Sequence, residues 1–224
     1  RGGSIEAPEN TIESFEYSLE IGSSYIETDV QLSADGIPYI FHDDDLGRLF
    51  GKDIRFNSLH SNEINKLMLF DKYKIPKLET VLEKFPKTFF QIDVKTDEVT
   101  RPAMKIIKEA NSLDRVCIAS FSSKRLKLVG NLYPEVCLSM GPKEIIKLFF
   151  ASFGLYKKKI PGDCLQIPIY QYGIKLATKR FVKYVQGIGL KIHVWTINDE
   201  DTMQKLIDLG VDGIITDRPK ALKD

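Results

Sequence analysis

Acidic and basic side chains stand close together in two runs of the sequence that otherwise look like buried β-strands. Glu27 and Asp29 are two residues apart, and so are Asp93 and Lys95 farther along the chain. Side chains two apart leave the same face of a strand, so each pair can point into one space. Buried charges are costly unless they are paired or bind a metal. Carboxylates so placed suit a hard divalent cation, Mg²⁺ or Ca²⁺, and a salt-bridge network with Lys95 is the alternative.

His42 is the candidate for proton transfer. It ends the apolar run after Asp29 and precedes three consecutive aspartates. Histidine titrates near neutral pH, so it can give or take a proton, although a lone histidine can also be structural. We expect His60, within the polar segment NSLHSNE, on a surface loop, and His193 packed within a strand.

Three further residues are candidates for binding a substrate. Arg1 begins the sequence RGGS, whose glycines permit a tight turn, and its guanidinium can hold a phosphate as a planar fork. Phe121 and Trp195 each follow an apolar run. They either pack in the core or form a wall for the carbon skeleton of a substrate.

The elements that would position these residues alternate along the chain. Apolar runs separated by amphipathic runs predict a parallel sheet covered by helices. The turn signal SADG predicts a hairpin between the first run and a return strand at 37–41. Asn10 and Glu13 have the spacing of a capping box for the first helix. The predicted strands begin near Tyr25, Thr88, Val116, Val136, Cys164, Lys191 and Gly213. The predicted helices span 11–19, 80–84, 101–110, 124–128, 143–150, 179–186 and 199–209.

This α/β pattern favours a (β/α)8 TIM barrel, and an open doubly wound sheet is the alternative. A TIM barrel needs about eight strands, yet no strand precedes the first predicted helix, so we expect the first strand at or before Arg1. No linker divides residues 1–224, which predicts a single domain. Barrel enzymes carry their chemistry at the carboxyl ends of the strands, where the candidate residues stand.

Composition narrows the class of protein. Lys plus Arg is 32 and Asp plus Glu is 31, so charge gives no reason to expect a nucleic-acid partner. The three cysteines form no CxxC pair, and their low, odd number favours free thiols in a reducing, cytoplasmic compartment. No run reaches the roughly 18 apolar residues of a membrane span, and no signal peptide is visible. Because the sequence begins without Met, an upstream signal or anchor stays open.

Several motifs, in order, resemble the glycerophosphodiester phosphodiesterase family over essentially the whole chain. They are RGGS, APENT, IETDV, FHDD, IPKLETVLEKF, QIDVK, VWTINDEDTMQKLIDLGVDGIITDRP and KAL. The resemblance implies a TIM barrel of the PLC-like phosphodiesterase type and a divalent metal, Mg²⁺ or Ca²⁺. It also implies hydrolysis of a glycerophosphodiester to sn-glycerol 3-phosphate and an alcohol.

The resemblance assigns roles to particular residues. It implies metal binding by Glu27 and Asp29, acid–base catalysis by His42, and phosphate contacts by Arg1 and Lys95. Two departures stand out. The family's first catalytic histidine directly precedes the arginine, so we expect a histidine immediately upstream of Arg1. The third metal ligand is Asp93 where the family usually has Glu, and its shorter side chain allows a bridging water.

Residues 145–159 suggest an alternative substrate. An apolar stretch there ends in Lys157, Lys158 and Lys159, as in segments that lie on a membrane surface. It is either a barrel helix that buries one face or a site of peripheral membrane contact. The second interpretation resembles family members that act on lysophospholipids, as lysophospholipase D enzymes releasing lysophosphatidic acid. A third possibility, if no histidine precedes Arg1, is an inactive barrel that binds phosphodiesters or membranes.

Overall fold

Parallel strands and helices alternate along the chain as the sequence predicts. The computed structural model describes residues 1–223. The strands are β1 (Tyr25–Leu32), β2 (Pro38–Ile40), β3 (Met68–Leu69), β4 (Tyr73–Lys74), β5 (Phe89–Val94), β6 (Val116–Ala119), β7 (Cys137–Leu138), β8 (Cys164–Ile167), β9 (Tyr170–Gln171), β10 (Ile174–Lys175), β11 (Lys191–Val194) and β12 (Gly213–Ile214). The helices are α1 (Ile12–Ile21), α2 (Gly47–Phe50), α3 (Ser61–Ile64), α4 (Leu78–Lys84), α5 (Asp97–Glu109), α6 (Ser123–Leu132), α7 (Pro142–Ala151), α8 (Lys179–Gly187), α9 (Glu200–Leu209) and α10 (Pro219–Lys223).

The predicted parallel strands form the wall of a barrel. β1, β5, β6 and β7 pair in that order, and β8, β11 and β12 pair in that order. A parallel bridge between Ser139 and Cys164 joins the two sheets. Neighbours in the wall follow chain order, without the reversal that marks a doubly wound sheet. The prediction of a TIM barrel is therefore confirmed.

Residues 1–5 cover the edge of the wall between β12 and β1. The main-chain nitrogen of Arg1 donates to the Glu27 carbonyl oxygen at 2.6 Å, and that of Ile5 donates to the Asp217 carbonyl oxygen at 3.2 Å. Gly2 has a φ of +75°, and a Cβ there would lie 2.4 Å from Ser14 Oγ, so this turn needs glycine. Within residues 1–223 no strand precedes β1. A barrel strand at or before Arg1 stays a prediction.

The predicted capping box of α1 is wrong. Thr11 is the N-cap, its hydroxyl accepts from the Ser14 amide, and Ser14 Oγ accepts from the Thr11 amide. The Asn10 side chain is committed to the barrel wall instead, where it donates to Asp29 and accepts from Thr28. The N-cap is therefore one residue later than predicted, and the Asn10 side chain contacts Asp29 on β1 instead.

A small lobe beside the barrel was not predicted in detail. β2 returns antiparallel to the end of β1 after a turn at Gly36, whose φ is +82°. The chain then builds α2, α3 and the β3–β4 hairpin around its own apolar core, which includes Phe41, Phe56 and Leu69. These elements are too short to show a clear hydrophobic period, so the sequence signal for them is weak. The lobe holds the loop that follows β2 against the barrel mouth.

Two larger apolar clusters lie between the barrel wall and its helices. One joins α1, α4, α5 and α6 to β1, β5 and β6, and the other joins α7, α8 and α9 to β8 and β11. α5 begins at Asp97, before the predicted start, because the Thr96 side chain caps it by accepting from the Val99 amide at 3.2 Å. Across residues 1–223, none of the helices combines the length and the apolar character needed to cross a bilayer.

Candidate active site

A pocket of about 270 Å³ opens at the carboxyl ends of the barrel strands. It is lined by every residue that the sequence analysis singled out for chemistry or binding. These are Arg1, Glu27, Asp29, His42, Asp93, Lys95, Phe121 and Trp195. The parallel register explains the convergence, because Asp29 stands directly opposite Asp93 on the neighbouring strand. The roles of these residues stay predictions, while their position around one pocket is a feature of the structure.

Lys95 bridges two of the carboxylates. Its Nζ lies 2.7 Å from Asp29 Oδ1 and 2.8 Å from Asp93 Oδ2. Burial alone would raise the pKa of Asp29, but nearby positive charge, chiefly the Lys95 ammonium, outweighs it and holds that pKa below its ordinary value. Burial raises the pKa of Asp93 despite Lys95. The ion pairs that the sequence offered as an alternative to a metal are thus part of this pocket.

Glu27 is held differently from the two aspartates. Its Oε2 lies 2.9 Å from the main-chain nitrogen of Arg1. Burial raises the pKa of Glu27, and the negative charges of Asp29 and Asp93 raise it further. A carboxyl in such surroundings is stabilised in its charged form by any cation that enters the pocket.

The donor set fits a hard divalent cation. Asp93 Oδ1 is buried and has no hydrogen-bond partner, so one carboxylate oxygen of a residue that lines the pocket remains free, while Lys95 occupies the other. Carboxylate oxygens are the ligands that Mg²⁺ and Ca²⁺ prefer. The oxygens of Glu27, Asp29 and Asp93 do not all lie within 4.8 Å of one another. A water bridge at Asp93, as its short side chain suggested, is compatible with this spacing.

His42 is oriented by a chain of charged groups. Its Nδ1 lies 2.6 Å from Asp43 Oδ1, and Arg48 Nε donates to Asp43 Oδ2 at 2.7 Å. Arg48 also makes a two-point contact with Glu9, at 2.5 and 2.9 Å. Burial would raise the pKa of Asp43, but hydrogen bonds from His42 and Arg48 outweigh it and lower that pKa. The contact at Nδ1 therefore fixes the orientation of the imidazole ring, and Nε2 is left free to exchange a proton with a substrate.

Arg1 links this series of charged groups to Asp29 on β1. Its guanidinium Nε lies 3.5 Å from Asp29 Oδ2, and its NH1 lies 3.4 Å from Glu9 Oε1. Asn10 donates to the same Asp29 oxygen at 3.2 Å. No role in the pocket was predicted from the sequence for Glu9, Asn10, Asp43 or Arg48. Glu9 and Asn10 belong to the APENT motif and Asp43 adjoins His42, so the sequence offered a reason to place these three near the site. It offered no such reason for Arg48.

An aromatic pair forms one wall of the pocket. The rings of Phe121 and Trp195 meet edge to face, with centroids 5.9 Å apart. Phe121 is 65% exposed, so it is not a core residue. Of the other histidines, His60 is exposed, as predicted, and the ring of His193 lies against Gly213 on the neighbouring strand.

Residues 145–159 combine a barrel helix with an exposed apolar end. Ile145 and Leu148 on α7 are buried, and the Phe149 ring packs on Phe181 with centroids 5.4 Å apart. After the helix, the chain presents Leu155 to solvent beside the three exposed lysines. One face of this segment is therefore structural, and its far end is free to meet another surface.

The fold and the pocket together define a barrel enzyme with its charged groups at the carboxyl ends of the strands. The model of the glycerophosphoryl diester phosphodiesterase family matches residues 1–221, and the chain belongs to that family. The family generally depends on a divalent cation.

Individual relatives agree with this assignment. The chain is 30% identical, over 99% of its length and 86% of the relative, to the probable glycerophosphodiester phosphodiesterase 2 of Mycobacterium tuberculosis. It is 24% identical, over 100% of its length and 83% of the relative, to the human lysophospholipase D GDPD1. Its fold matches a phosphodiesterase from Oleispira antarctica, solved with the product sn-glycerol-3-phosphate, with a TM-score of 0.82. That match has 24% identity and covers 100% of this chain and 93% of the other.

Proposed function

We propose that this protein hydrolyses glycerophosphodiesters to sn-glycerol 3-phosphate and an alcohol. The observation that carries the proposal is the convergence of Glu27, Asp29, Asp93, Lys95 and His42 on one pocket at the strand ends. Family membership and the 30% identical relative support the same activity. The pocket also suits a substrate that is anionic at its centre, because Arg1 and Lys95 both line it.

Arg1 and Lys95 are the phosphate-binding groups in this proposal. Their positive charges can stabilise the charge that grows on the phosphoryl oxygens during transfer. Contacts with Asp29 hold both cations, so they are oriented before the substrate arrives. A divalent cation, Mg²⁺ or Ca²⁺, held by Glu27, Asp29 and Asp93 would supply further charge neutralisation at those oxygens. Phe121 and Trp195 would contact the carbon skeleton of the substrate.

His42 is the proton-transfer group. Asp43 fixes Nδ1, so a proton at Nε2 can be exchanged with the attacking or the leaving oxygen. Arg48 and Glu9 hold Asp43 in place and act through it, as positioning residues. The resemblance implies a second proton-transfer group, a histidine directly before Arg1, and this stays a prediction.

The direct test is release of glycerol 3-phosphate from glycerophosphocholine by the full-length protein. We expect activity that EDTA removes and that excess Mg²⁺ or Ca²⁺ restores, since carboxylates bind such ions through oxygen. Comparing the two ions at equal concentration identifies the preferred metal. Absence of product with either ion, in a protein shown to be folded by circular dichroism, would favour an inactive barrel that binds phosphodiesters.

Two features favour a lysophospholipase D activity on the same site as the second candidate. A groove of about 440 Å³ runs between α7 and α8, lined by apolar residues such as Leu148 and Ile188 and by the three lysines. Met140 lines both this groove and the pocket, so the two cavities adjoin each other at that residue. The exposed end of residues 145–159 would then be the point of peripheral membrane contact.

Replacing Phe150 and Leu155 together with Ser tests this second candidate. These side chains are 43% and 73% exposed, so the change should leave the fold intact. If they contact lipid, KM for lysophosphatidylcholine should rise by about tenfold or more, because each buried apolar side chain contributes roughly 1.5–3 kcal/mol. Activity on glycerophosphocholine, which has no acyl chain, should not change.

Phe149→Ser is the matched control for that experiment. Its ring packs on Phe181, so its loss should cost about 3 kcal/mol of stability and lower both activities together. Phe153 is left intact because Arg180 stacks on its ring at 4.1 Å. Equal kinetics of the double variant and the wild type on both substrates would remove the case for lipid contact here.

A further inference from the structure

Three cysteines that lie far apart in the sequence meet inside the barrel. Cys117 on β6 is the register partner of Cys137 on β7, and Cys164 begins the next strand, β8. The Sγ atoms of all three lie within 4.8 Å of one another, and no disulfide joins them. Among residues 1–223, this is the one group of three or more His, Cys, Asp or Glu side chains whose ligating atoms are so close.

The separation of the sulfurs suits a thiophilic ion. Cys117 Sγ and Cys164 Sγ are 3.5 Å apart. Thiolates bound to one tetrahedral Zn²⁺ through bonds of about 2.3 Å stand roughly 3.8 Å apart. These two sulfurs are thus close to the required spacing before any ion binds, and Cys137 Sγ lies within 4.8 Å of both. Packing of neutral thiols explains their burial equally well, but it does not require three sulfurs on three strands to converge.

The side chain of Gln166 is a second, independent observation. Gln166 is 8% exposed, and its Nε2 lies 4.0 Å from Cys117 Sγ and 3.9 Å from Cys164 Sγ. Its Oε1 is buried without a hydrogen-bond partner. An N–H directed at sulfur favours a thiolate ligand over a thiol, and hydrogen bonds from outside the coordination sphere orient metal ligands. The free oxygen can accept from a water that completes the coordination of the ion.

Gln166 also connects these sulfurs to the pocket, which it lines. Cys117 and Cys137 are half-buried, so an ion can reach them without unfolding the barrel. We propose that Cys117, Cys137 and Cys164 bind one thiophilic d¹⁰ cation of the Zn²⁺ or Cu⁺ class, at a site separate from the carboxylates. Each thiol that binds as thiolate releases its proton to solvent. Soft sulfur ligands select such ions over Mg²⁺ and Ca²⁺, which prefer oxygen.

The test is a titration of the reduced protein with Cd²⁺, followed by thiolate-to-metal charge-transfer absorption. Excess Mg²⁺ is present to occupy the carboxylates, and a phosphine keeps the thiols reduced. We expect saturation at one Cd²⁺ per chain and loss of the signal when Zn²⁺ competes. Each of Cys117→Ser, Cys137→Ser and Cys164→Ser should weaken Cd²⁺ binding by at least about tenfold. The chain has only these three cysteines, so no other thiol contributes to the signal.

Asp93→Asn is the control at the carboxylates, and it should leave the Cd²⁺ titration unchanged. Circular dichroism checks the fold of each variant, and Cys164→Ala replaces Cys164→Ser if the buried hydroxyl destabilises the barrel. The proposal fails if the wild type gives no charge-transfer signal. It also fails if the signal saturates at half an equivalent, which indicates cross-linked chains, or if it survives all three single substitutions.

Discussion

Replacing His42 with Ala is expected to lower kcat for glycerophosphocholine by about 10²- to 10⁴-fold, while KM changes little. General acid–base catalysis typically contributes a factor of this size, and His42 is the histidine that lines the pocket. We expect this loss at every pH between about 6 and 9, because the group that transfers the proton is removed. Steady-state kinetics across that range measure both effects.

His60→Ala is the matched control, because His60 is exposed in the small lobe and does not line the pocket. It should leave kcat and its pH dependence unchanged. Asp43→Asn should give an intermediate loss of kcat, because the imidazole remains but its Nδ1 partner changes. Near-normal turnover of His42→Ala across the whole pH range would show that His42 does not transfer the proton.

Replacing Lys95 with Met is expected to damage both activity and stability. Lys95 is 17% exposed in its side chain and compensates two carboxylates, Asp29 and Asp93. Removing one partner of a buried ion pair costs about 3–5 kcal/mol, because the remaining charges are left uncompensated. If Lys95 stabilises phosphoryl charge as proposed, its loss should also lower kcat by about 10²-fold or more. Chemical denaturation and kinetics on glycerophosphocholine measure the two losses.

Lys124→Met provides the comparison for Lys95. Lys124 also contacts an aspartate, Asp97, at 3.1 Å, but its side chain is 85% exposed. An exposed pair contributes less than about 1 kcal/mol, so this variant should keep its stability and its kcat. If Lys95→Met proves as stable and as active as Lys124→Met, the ion pairs in the pocket have no energetic importance.

The sequence alone predicted the wall of the barrel well, because its strands are buried and their composition is distinctive. Glu27 and Asp29 are two residues apart, and so are Asp93 and Lys95. This spacing predicted that the two side chains of each pair leave the same face of their strand. Parallel pairing then placed Asp29 opposite Asp93. Local period and strand order are therefore enough to gather the acidic residues at one end of the barrel.

The sequence did not predict contacts that depend on loops. Arg48 reaches Glu9 and Asp43 from a four-residue helix in the small lobe, and nothing in its neighbourhood marks it as special. Asn10 looked like a helix cap, and its true partners, Asp29 and Thr28, are on another element. The partners of such side chains are set by the tertiary structure, so local sequence patterns do not predict these contacts.

The cysteines illustrate the same limit in another form. Their spacing along the chain matches no metal-binding motif, and each one alone resembles an ordinary buried thiol. The pairing of Cys117 with Cys137 and the bridge from Ser139 to Cys164 bring them to one level of the barrel. A one-residue change of register would turn their side chains to the opposite face.

The contacts between the two ends of the described chain have a consequence for the order of events during synthesis. Ser4 Oγ donates to Asp217 Oδ1 at 2.6 Å, and Glu6 Oε2 accepts from the Lys220 amide at 3.2 Å. Ribosomes add roughly 5–20 residues per second, so the turn that carries Arg1 waits on the order of ten seconds or more for these partners to emerge. Until then Arg1 can already contact Glu27 and Asp29, but the turn that follows it is not fixed to the carboxyl-terminal end of the barrel. The pocket also lacks Thr216 and Asp217, which line it. We therefore expect ribosome-bound chains that end before Asp217 to be inactive even when most of the barrel has formed.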